Sequence, residues 1–448
     1  MKFVIIGGDA AGMSAASRAK RRNPDLEVVV LELTDDVSYS ACGMPYNIAD
    51  PGRPMDDLVV RKAQVFRDKQ GIDLRTGHRV DTLNRADKNV TGIKTDGGAF
   101  EVQYDKLLIA TGSRAILPDI PGKDLPGVLS LKSLQDGRMI KDYMQAKPVN
   151  SVLVVGLGYI GLEMVEAYHT RGVTVEAIDL LPSLLPWLPD GQADVVAKEL
   201  ESKGVSLRMG VALTRIEEAD NGLEAVLSNG DVVQTDMVLM GVGVRPNSEF
   251  AADAGLELGP GNAIAVDRFL LTSDPDIYAA GDCADAFNLI TGQRVWIPLA
   301  LRANRAGWAV ADNIRGADVE LPGIVGTSVF KVLDLEVART GLSVEEAQAA
   351  GFAPVLKTVK TRSRAHAHPG NQTIHIGMTA DRESGRLLGA TMVGKEGVAH
   401  RINAVAVALH AGMTVEEFVQ CDMAYAPPFS PVWDPLLTAG NQLLKSMG

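Results

Sequence analysis

Two glycine-rich turns, each set between an apolar strand and a helix, constrain this chain more than any other feature. Phe3–Ile6 is an apolar run leading into Gly7-Gly8-Asp9-Ala10-Ala11-Gly12 and an alanine-rich helix over Met13–Arg22; a second strand pattern, Leu26–Leu31, ends at Glu32. In such a unit the first glycine makes the tight turn and the last lets helix and strand pack closely. The helix N-terminus then faces a pyrophosphate, and the terminal acid faces ribose hydroxyls. Gly7, Gly12 and Glu32 hold those positions, with Ala10 and Ala11 inside the turn and Asp9 where the middle glycine usually stands. The second copy is complete: Val152–Val155, Gly156-Leu157-Gly158-Tyr159-Ile160-Gly161, a helix, and Thr174–Ile178 ending at Asp179. A carboxylate there accepts from the 2′- and 3′-hydroxyls of NADH and repels a 2′-phosphate. Leu180, Leu181 and Pro182 follow with no arginine, so NADH is expected over NADPH.

At 448 residues the chain has room for about three domains. A net charge of −12 argues against a nucleic-acid surface. Three cysteines do not make a disulfide framework, so a reducing, cytoplasmic setting is expected. The opening Met1–Gly7 is expected to be a buried strand rather than a signal peptide, and no apolar run approaches the roughly 20 residues that span a bilayer. His366 and His368 lack a companion ligand set, so no metal is expected.

Three further segments follow in order. Tyr104–Ala110 is a strand ending in Ala110-Thr111-Gly112; Asp236–Met240 is a strand running into Gly241-Val242-Gly243; Asp276–Ala280 is a strand ending in Gly281-Asp282, whose aspartate suits a ribitol hydroxyl. In this order, with these intervals, the chain resembles the flavoproteins with two dinucleotide-binding domains. That resemblance implies FAD in the first site and a nicotinamide in the second. It implies an FAD domain over 1–111 resumed over 248–325, an NAD(P)H domain over 112–247, and a dimerisation domain over 326–448. The fold class expected is α/β, two Rossmann-like domains plus a C-terminal α+β domain. In the last, Phe330–Ala338 reads as one strand, Ser343–Gly351 as a short helix, 354–361, 373–379 and 387–394 as an antiparallel sheet, and Ala399–Ala411 as a helix. A fused C-terminal rhodanese, present in some relatives, is not expected.

Cys42 sits in Ser38-Tyr39-Ser40-Ala41-Cys42-Gly43-Met44-Pro45-Tyr46, and Asn47 occupies the place where a Cys-x4-Cys pair would have its second thiol. A lone redox cysteine must find its sulfur partner on a small molecule or cycle through sulfenic acid. An inert, buried cysteine is the alternative, and it is the expectation for Cys283 and Cys421. The helix start after Cys42 is expected to lower its thiol pKa.

The Cys42 segment and Ala424-Tyr425-Ala426-Pro427-Pro428-Phe429-Ser430-Pro431 together resemble the coenzyme A-disulfide reductase group, which includes the CoA-persulfide and polysulfide reductases. NADH peroxidase and water-forming NADH oxidase share its single cysteine. The resemblance implies that Cys42 forms a mixed disulfide with CoA and that Tyr425 reaches the other subunit's cysteine in a homodimer. It further implies that Ser14, Arg18 and Arg21 contact the nucleotide phosphates, with Ser38 and Tyr39 along the pantetheine channel. Spacing places Ser14, Arg18, Arg21 and Arg22 on one helix face; Arg61 is a weaker candidate and Arg302 weaker still. The peroxidase and oxidase branches typically carry a histidine where this chain has Ala10, which speaks against a sulfenate cycle. His366-Ala367-His368-Pro369-Gly370 replaces the Tyr-Tyr-Pro-Gly run of many members, and His368 is a candidate acid in its place. The expected activity is NADH-dependent reduction of a CoA disulfide, persulfide or polysulfide. The alternatives are an oxidase/peroxidase acting on O2 or H2O2, and an electron-transfer flavoprotein reducing a protein such as rubredoxin.

Overall fold

The computed structural model describes residues 1–448, Asp190 by its backbone alone. Lys2–Ile6 is the centre of a five-stranded sheet because both its faces are covered: Phe3, Val4 and Ile5 are fully buried, the continuous apolar run of a parallel strand rather than an alternating one. The sheet order is Ile277–Ala279, Lys106–Ile109, Lys2–Ile6, Glu27–Leu31, Asp73–Arg75, all parallel. A second parallel sheet repeats the plan around Ser151–Val155, in the order Ser206–Met209, Thr174–Asp179, Ser151–Val155, Met237–Met240, Val128–Ser130. Each carries a three-stranded antiparallel meander, His78–Gln103 on the first and Leu213–Thr235 on the second. Where the chain leaves the first unit and returns to it, Ser113–Ala115 pairs antiparallel with Val244–Pro246.

The two glycine turns form as their residue types dictate. Gly7 and Gly156 have φ of 108° and 92°, the left-handed region that glycine tolerates. A Cβ on Gly12 would lie 1.9 Å from the Gly7 carbonyl oxygen, and one on Gly161 2.0 Å from that of Gly156. The helices Ala10–Arg22 and Tyr159–Thr170 therefore start in close contact with the strands before them.

The third unit is a five-stranded antiparallel sheet, ordered Ser328–Val332, Leu335–Gly341, Leu387–Gly394, Thr373–Asp381, Pro354–Arg362, with helices Val398–Ala411 and Pro435–Met447 packed on it. The single strand expected over Phe330–Ala338 is instead a hairpin: Leu333 turns the chain with φ of 53°, and Val332 pairs with Leu335. Apolar residues on both sides of the turn hid it, since Leu333 itself is buried. The short helix Val344–Ala349 is closed by a capping box from Ser343 and Glu346. Among the described residues no helix is long and apolar enough to cross a membrane, and no cluster of His, Cys, Asp and Glu is arranged for a metal.

Candidate active site

A cavity of about 900 Å³ opens where the three units meet. It brings together Gly7, Ala10, Ala11, Glu32, Tyr39, Cys42, Thr111, Gly112, Gly281 and Asp282 from the first unit with Gly158, Tyr159 and Ile160 from the second. Gly12, Gly156, Gly161 and Asp179 belong to the same two strand–turn–helix units but are not among the cavity's lining residues. The donor set fits one dinucleotide at each turn. Backbone amides at two helix starts face the space, a Cβ at Gly12 or Gly161 would close the turn behind it, and an acid ends each second strand.

Glu32 is already oriented: it accepts from the Gly8 amide at 2.7 Å and from the Thr34 amide and hydroxyl at 2.8 Å each. Burial pushes its carboxyl up, against the pull of those donors. Asp179 is set the same way by the amides of Leu157 at 2.7 Å and Leu181 at 2.8 Å. Asp9 accepts from the Tyr39 amide at 3.2 Å, which ties the first glycine turn to the Cys42 loop. Burial, chiefly, and the nearby Glu32 push the Asp9 carboxyl up to about 6. Asp282 accepts from Ser113 at 2.9 Å and Lys132 at 3.0 Å.

Cys42 lies in a short 3-10 turn, Ala41–Gly43, ahead of helix Met44–Ala49, and its thiol is accessible from the cavity. The far end of that helix is pinned by the buried Lys141, which donates to the carbonyls of Asn47 at 3.1 Å and Asp50 at 2.8 Å, to Asn47 Oδ1 at 3.0 Å and to the Arg53 carbonyl. The pKa expectation for Cys42 needs correcting. Partial burial and the carboxylate of Glu163 push its thiol up, and Lys132 only partly offsets them. A six-residue helix supplies too little dipole to reverse that. Alkylation of Cys42 by iodoacetamide in the protein free of cofactors should thus still accelerate at pH values where an ordinary thiol has levelled off. A plateau near neutral pH would overturn this assignment of the local field.

Glu163 gave no sequence signal beyond its place in the second glycine-turn helix, yet it lines the cavity and accepts from the Tyr46 hydroxyl at 2.9 Å. Its carboxyl is pushed up by burial, partly relieved by that hydrogen bond. Lys132 was equally silent, an isolated cation between Leu131 and Ser133. Tyr159 packs against Phe330 at 4.7 Å and Trp187 at 6.2 Å between ring centroids, on the side of the cavity next to the second glycine turn.

Other expected site residues lie farther off. Ser14, Arg18, Arg21 and Arg22 do form one outward face, but Ser14 donates to Asn304 at 2.7 Å and Arg18 is paired with Asp312 at 2.6 Å. Ser38 is in the left-handed region, φ 49°, and its carbonyl accepts from Val60 at 2.9 Å. Arg61 lies 5.4 Å over the Phe66 ring, and Arg302 donates to the Asp285 carbonyl at the cavity edge. Cys283 is fully buried as expected, but Cys421 is only half-buried, its thiol directed at the Glu417 carbonyl. Within one chain, neither Tyr425 nor His368 lines the Cys42 cavity. Their two loops do lie side by side: the Ala365 amide donates to the Pro427 carbonyl at 3.1 Å, and Arg401 reaches the Phe429 carbonyl at 2.8 Å and that of Ser363 at 3.3 Å. Tyr425, Phe429 and Trp433 are all exposed there.

Known proteins share this arrangement. The pyridine nucleotide-disulphide oxidoreductase family matches residues 1–307, and the dimerisation domain of the same family matches residues 327–436. The chain is 37% identical over 442 residues to the CoA-dependent NAD(P)H sulfur oxidoreductase of Pyrococcus furiosus, covering 99% of each. It is 35% identical over 448 residues to the NADH oxidase of Methanocaldococcus jannaschii, covering 100% of this chain and 99% of that one. Among solved structures, the NAD-dependent persulfide reductase of A. fulgidus superposes with a TM-score of 0.96 at 34% identity, covering 100% of this chain and 83% of that one.

Proposed function

The chain belongs to the pyridine nucleotide-disulphide oxidoreductase family, and on that footing we propose that it is an FAD-dependent, NADH-preferring reductase of coenzyme A disulfide, CoA persulfide or polysulfide. The observation that carries this is Cys42. It alone of the three thiols opens onto the shared cavity, and the neighbouring Asn47 is a buried amide locked to Pro54 and Lys141 rather than a second sulfur. In this reading FAD is held by the unit formed by 1–111 and 248–325, through Gly7, Ala10, Ala11, Gly12, Glu32, Thr111, Gly281 and Asp282, together with Gly112 at the junction with the next unit. NADH is held by 112–247, through Gly156, Gly158, Tyr159, Ile160, Gly161 and Asp179, and residues 326–448 form the homodimer.

FAD, when bound, supplies the passage of two electrons from the nicotinamide to sulfur. The chain's own part is sulfur chemistry. The Cys42 thiolate attacks one sulfur of CoA disulfide, a Cys42–S bond forms as the S–S bond breaks, and the first CoA thiolate leaves and takes a proton. Two electrons originating in NADH then cleave the Cys42–S–S–CoA bond, releasing the second CoA thiolate and restoring Cys42. Tyr425 from the second copy of a homodimer, with His368 beside it, is placed in this reading as the proton donor to the departing thiolate.

The M. jannaschii relative raises an oxidase reading, but Ala10 offers a Cys42 sulfenate neither donor nor acceptor. One experiment separates them. Intact mass of the purified protein should show Cys42 carrying CoA, removable by NADH, and NADH oxidation should depend on CoA disulfide or persulfide. Cys42 free of CoA, with O2 or H2O2 consumption that CoA compounds do not affect, would replace this function with the oxidase or peroxidase one.

A further inference from the structure

Helices Ala10–Arg22 and Ala300–Asn313 lie against each other in the same direction. Ser14 donates to Asn304, Arg18 lies beside Trp308, and Arg315 reaches the Arg22 carbonyl. They touch backbone to backbone at Gly307, where a Cβ would fall 2.2 Å from the Ala11 carbonyl oxygen. Both helices begin at the cavity that holds Cys42, whose lining includes Ala10, Ala11 and Arg305. The outer seam between them therefore leads from Cys42 towards solvent.

Trp308 stands on that seam and is 46% exposed. It follows Arg305 by three residues, about 4.5 Å of rise, on the same face. The Arg18 guanidinium lies 5.4 Å from the ring centroid and is fixed there by two hydrogen bonds to Asp312, at 2.6 and 2.9 Å. The same two helices carry Arg21, Arg22 and Arg305, with Arg315 just past the end of the second, and among the described residues the one carboxylate paired with any of these or with Arg18 is Asp312, shared by Arg18 and Arg22. An apolar tryptophan gains nothing from water at such a place. A flat, exposed aromatic ring beside one guanidinium, on helices that carry further arginines, is instead complementary to a purine that carries phosphates.

We propose that Trp308 is the platform on which the adenine ring of the coenzyme A substrate stacks, its phosphates taken by the surrounding guanidiniums. The proposal rests on the CoA reading above. It changes the role of Arg18: paired with Asp312, this residue positions the ring and lends it a cationic neighbour, leaving Arg21, Arg305 and Arg315 as the guanidiniums free of a carboxylate for the phosphates.

The test compares CoA disulfide with pantethine, the disulfide of the nucleotide-free arm, as substrates of the holoenzyme and its Trp308→Ala and Trp308→Phe variants. Base stacking on an aromatic ring predicts that Trp308→Ala lowers the ratio of kcat/KM for CoA disulfide to that for pantethine roughly ten-fold, while Trp308→Phe keeps most of it. A ratio unchanged in Trp308→Ala, or lowered equally by Trp308→Phe, overturns the platform. A second arm needs neither turnover nor the alanine variant: adenosine 3′,5′-bisphosphate should quench tryptophan emission of the wild type, and that quenching should vanish in Trp308→Phe. Quenching equal in both proteins overturns the proposal. Failure of the wild type to reduce either disulfide would instead strike the substrate reading, and the quenching arm would still decide whether Trp308 takes a purine nucleotide.

Discussion

Cys42→Ser should abolish NADH-dependent reduction of CoA disulfide and CoA persulfide, by roughly 10³-fold or more, as expected for removal of a covalent nucleophile. A serine hydroxyl stays protonated at neutral pH and forms no mixed disulfide, so the sulfur relay is cut at its first bond. The raised pKa of the native thiol does not blunt this expectation, because even a small thiolate fraction is a strong nucleophile. FAD should remain bound, since Gly12 and Glu32 hold the first glycine turn through contacts that do not involve Cys42. Bleaching of the flavin by NADH and slow reoxidation by O2 should also persist, as neither needs sulfur. Rapid-mixing spectra and steady-state assays on the same preparation check both halves. Wild-type turnover of CoA disulfide by Cys42→Ser would overturn the mechanism. Retained transfer to a protein acceptor with no CoA chemistry in the wild type would favour the electron-transfer reading.

The α/β architecture was legible because parallel strands buried on both faces write themselves as unbroken apolar runs. Val152–Val155 and Phe3–Ile6 needed no partner to be recognised. The glycine turns were legible because only glycine satisfies them, as the 1.9 and 2.0 Å approaches at Gly12 and Gly161 show. The Leu333-Asp334 turn was not, since a buried leucine at φ 53° inside an apolar run masked the single turn-forming residue beside it, Asp334. At the site, residues in contiguous motifs were found, while Lys132, Glu163 and Trp308 were missed. Their significance lies in what a distant segment brings to them: Asp282 to Lys132, Tyr46 to Glu163, Arg18 to Trp308. The cationic face of the first helix was read correctly as a face, but sequence could not reveal that Asp312, nearly three hundred positions away, already occupies its Arg18.

NADH should exceed NADPH in kcat/KM by at least about ten-fold, and Asp179→Ala should erase most of that margin. Asp179 closes strand Thr174–Asp179 with its two oxygens engaged by the amides of Leu157 and Leu181, so the carboxylate is fixed where a ribose would lie. A hydrogen bond from a ribose hydroxyl to this charged acceptor contributes about 1.5–3 kcal/mol, which is roughly ten- to hundred-fold in affinity. A 2′-phosphate replaces that donor with a second anion. Among the described residues no cation is paired with Asp179: Leu180 and Leu181 are exposed, and Arg208, on the neighbouring strand, is held by Glu176 at 2.5 Å and Asp231 at 2.7 Å. Removing the carboxylate therefore costs NADH its hydrogen bond and relieves NADPH of the repulsion, and both changes narrow the gap. Adding Leu180→Arg to Asp179→Ala supplies the missing positive charge at an exposed position and should turn the preference towards NADPH. Steady-state kcat/KM with each nucleotide, at fixed ionic strength because the repulsion is screened by salt, decides it. Equal use of the two nucleotides by the wild type would show that the ribose lies away from Asp179, and the second glycine turn would then hold its ligand in another register.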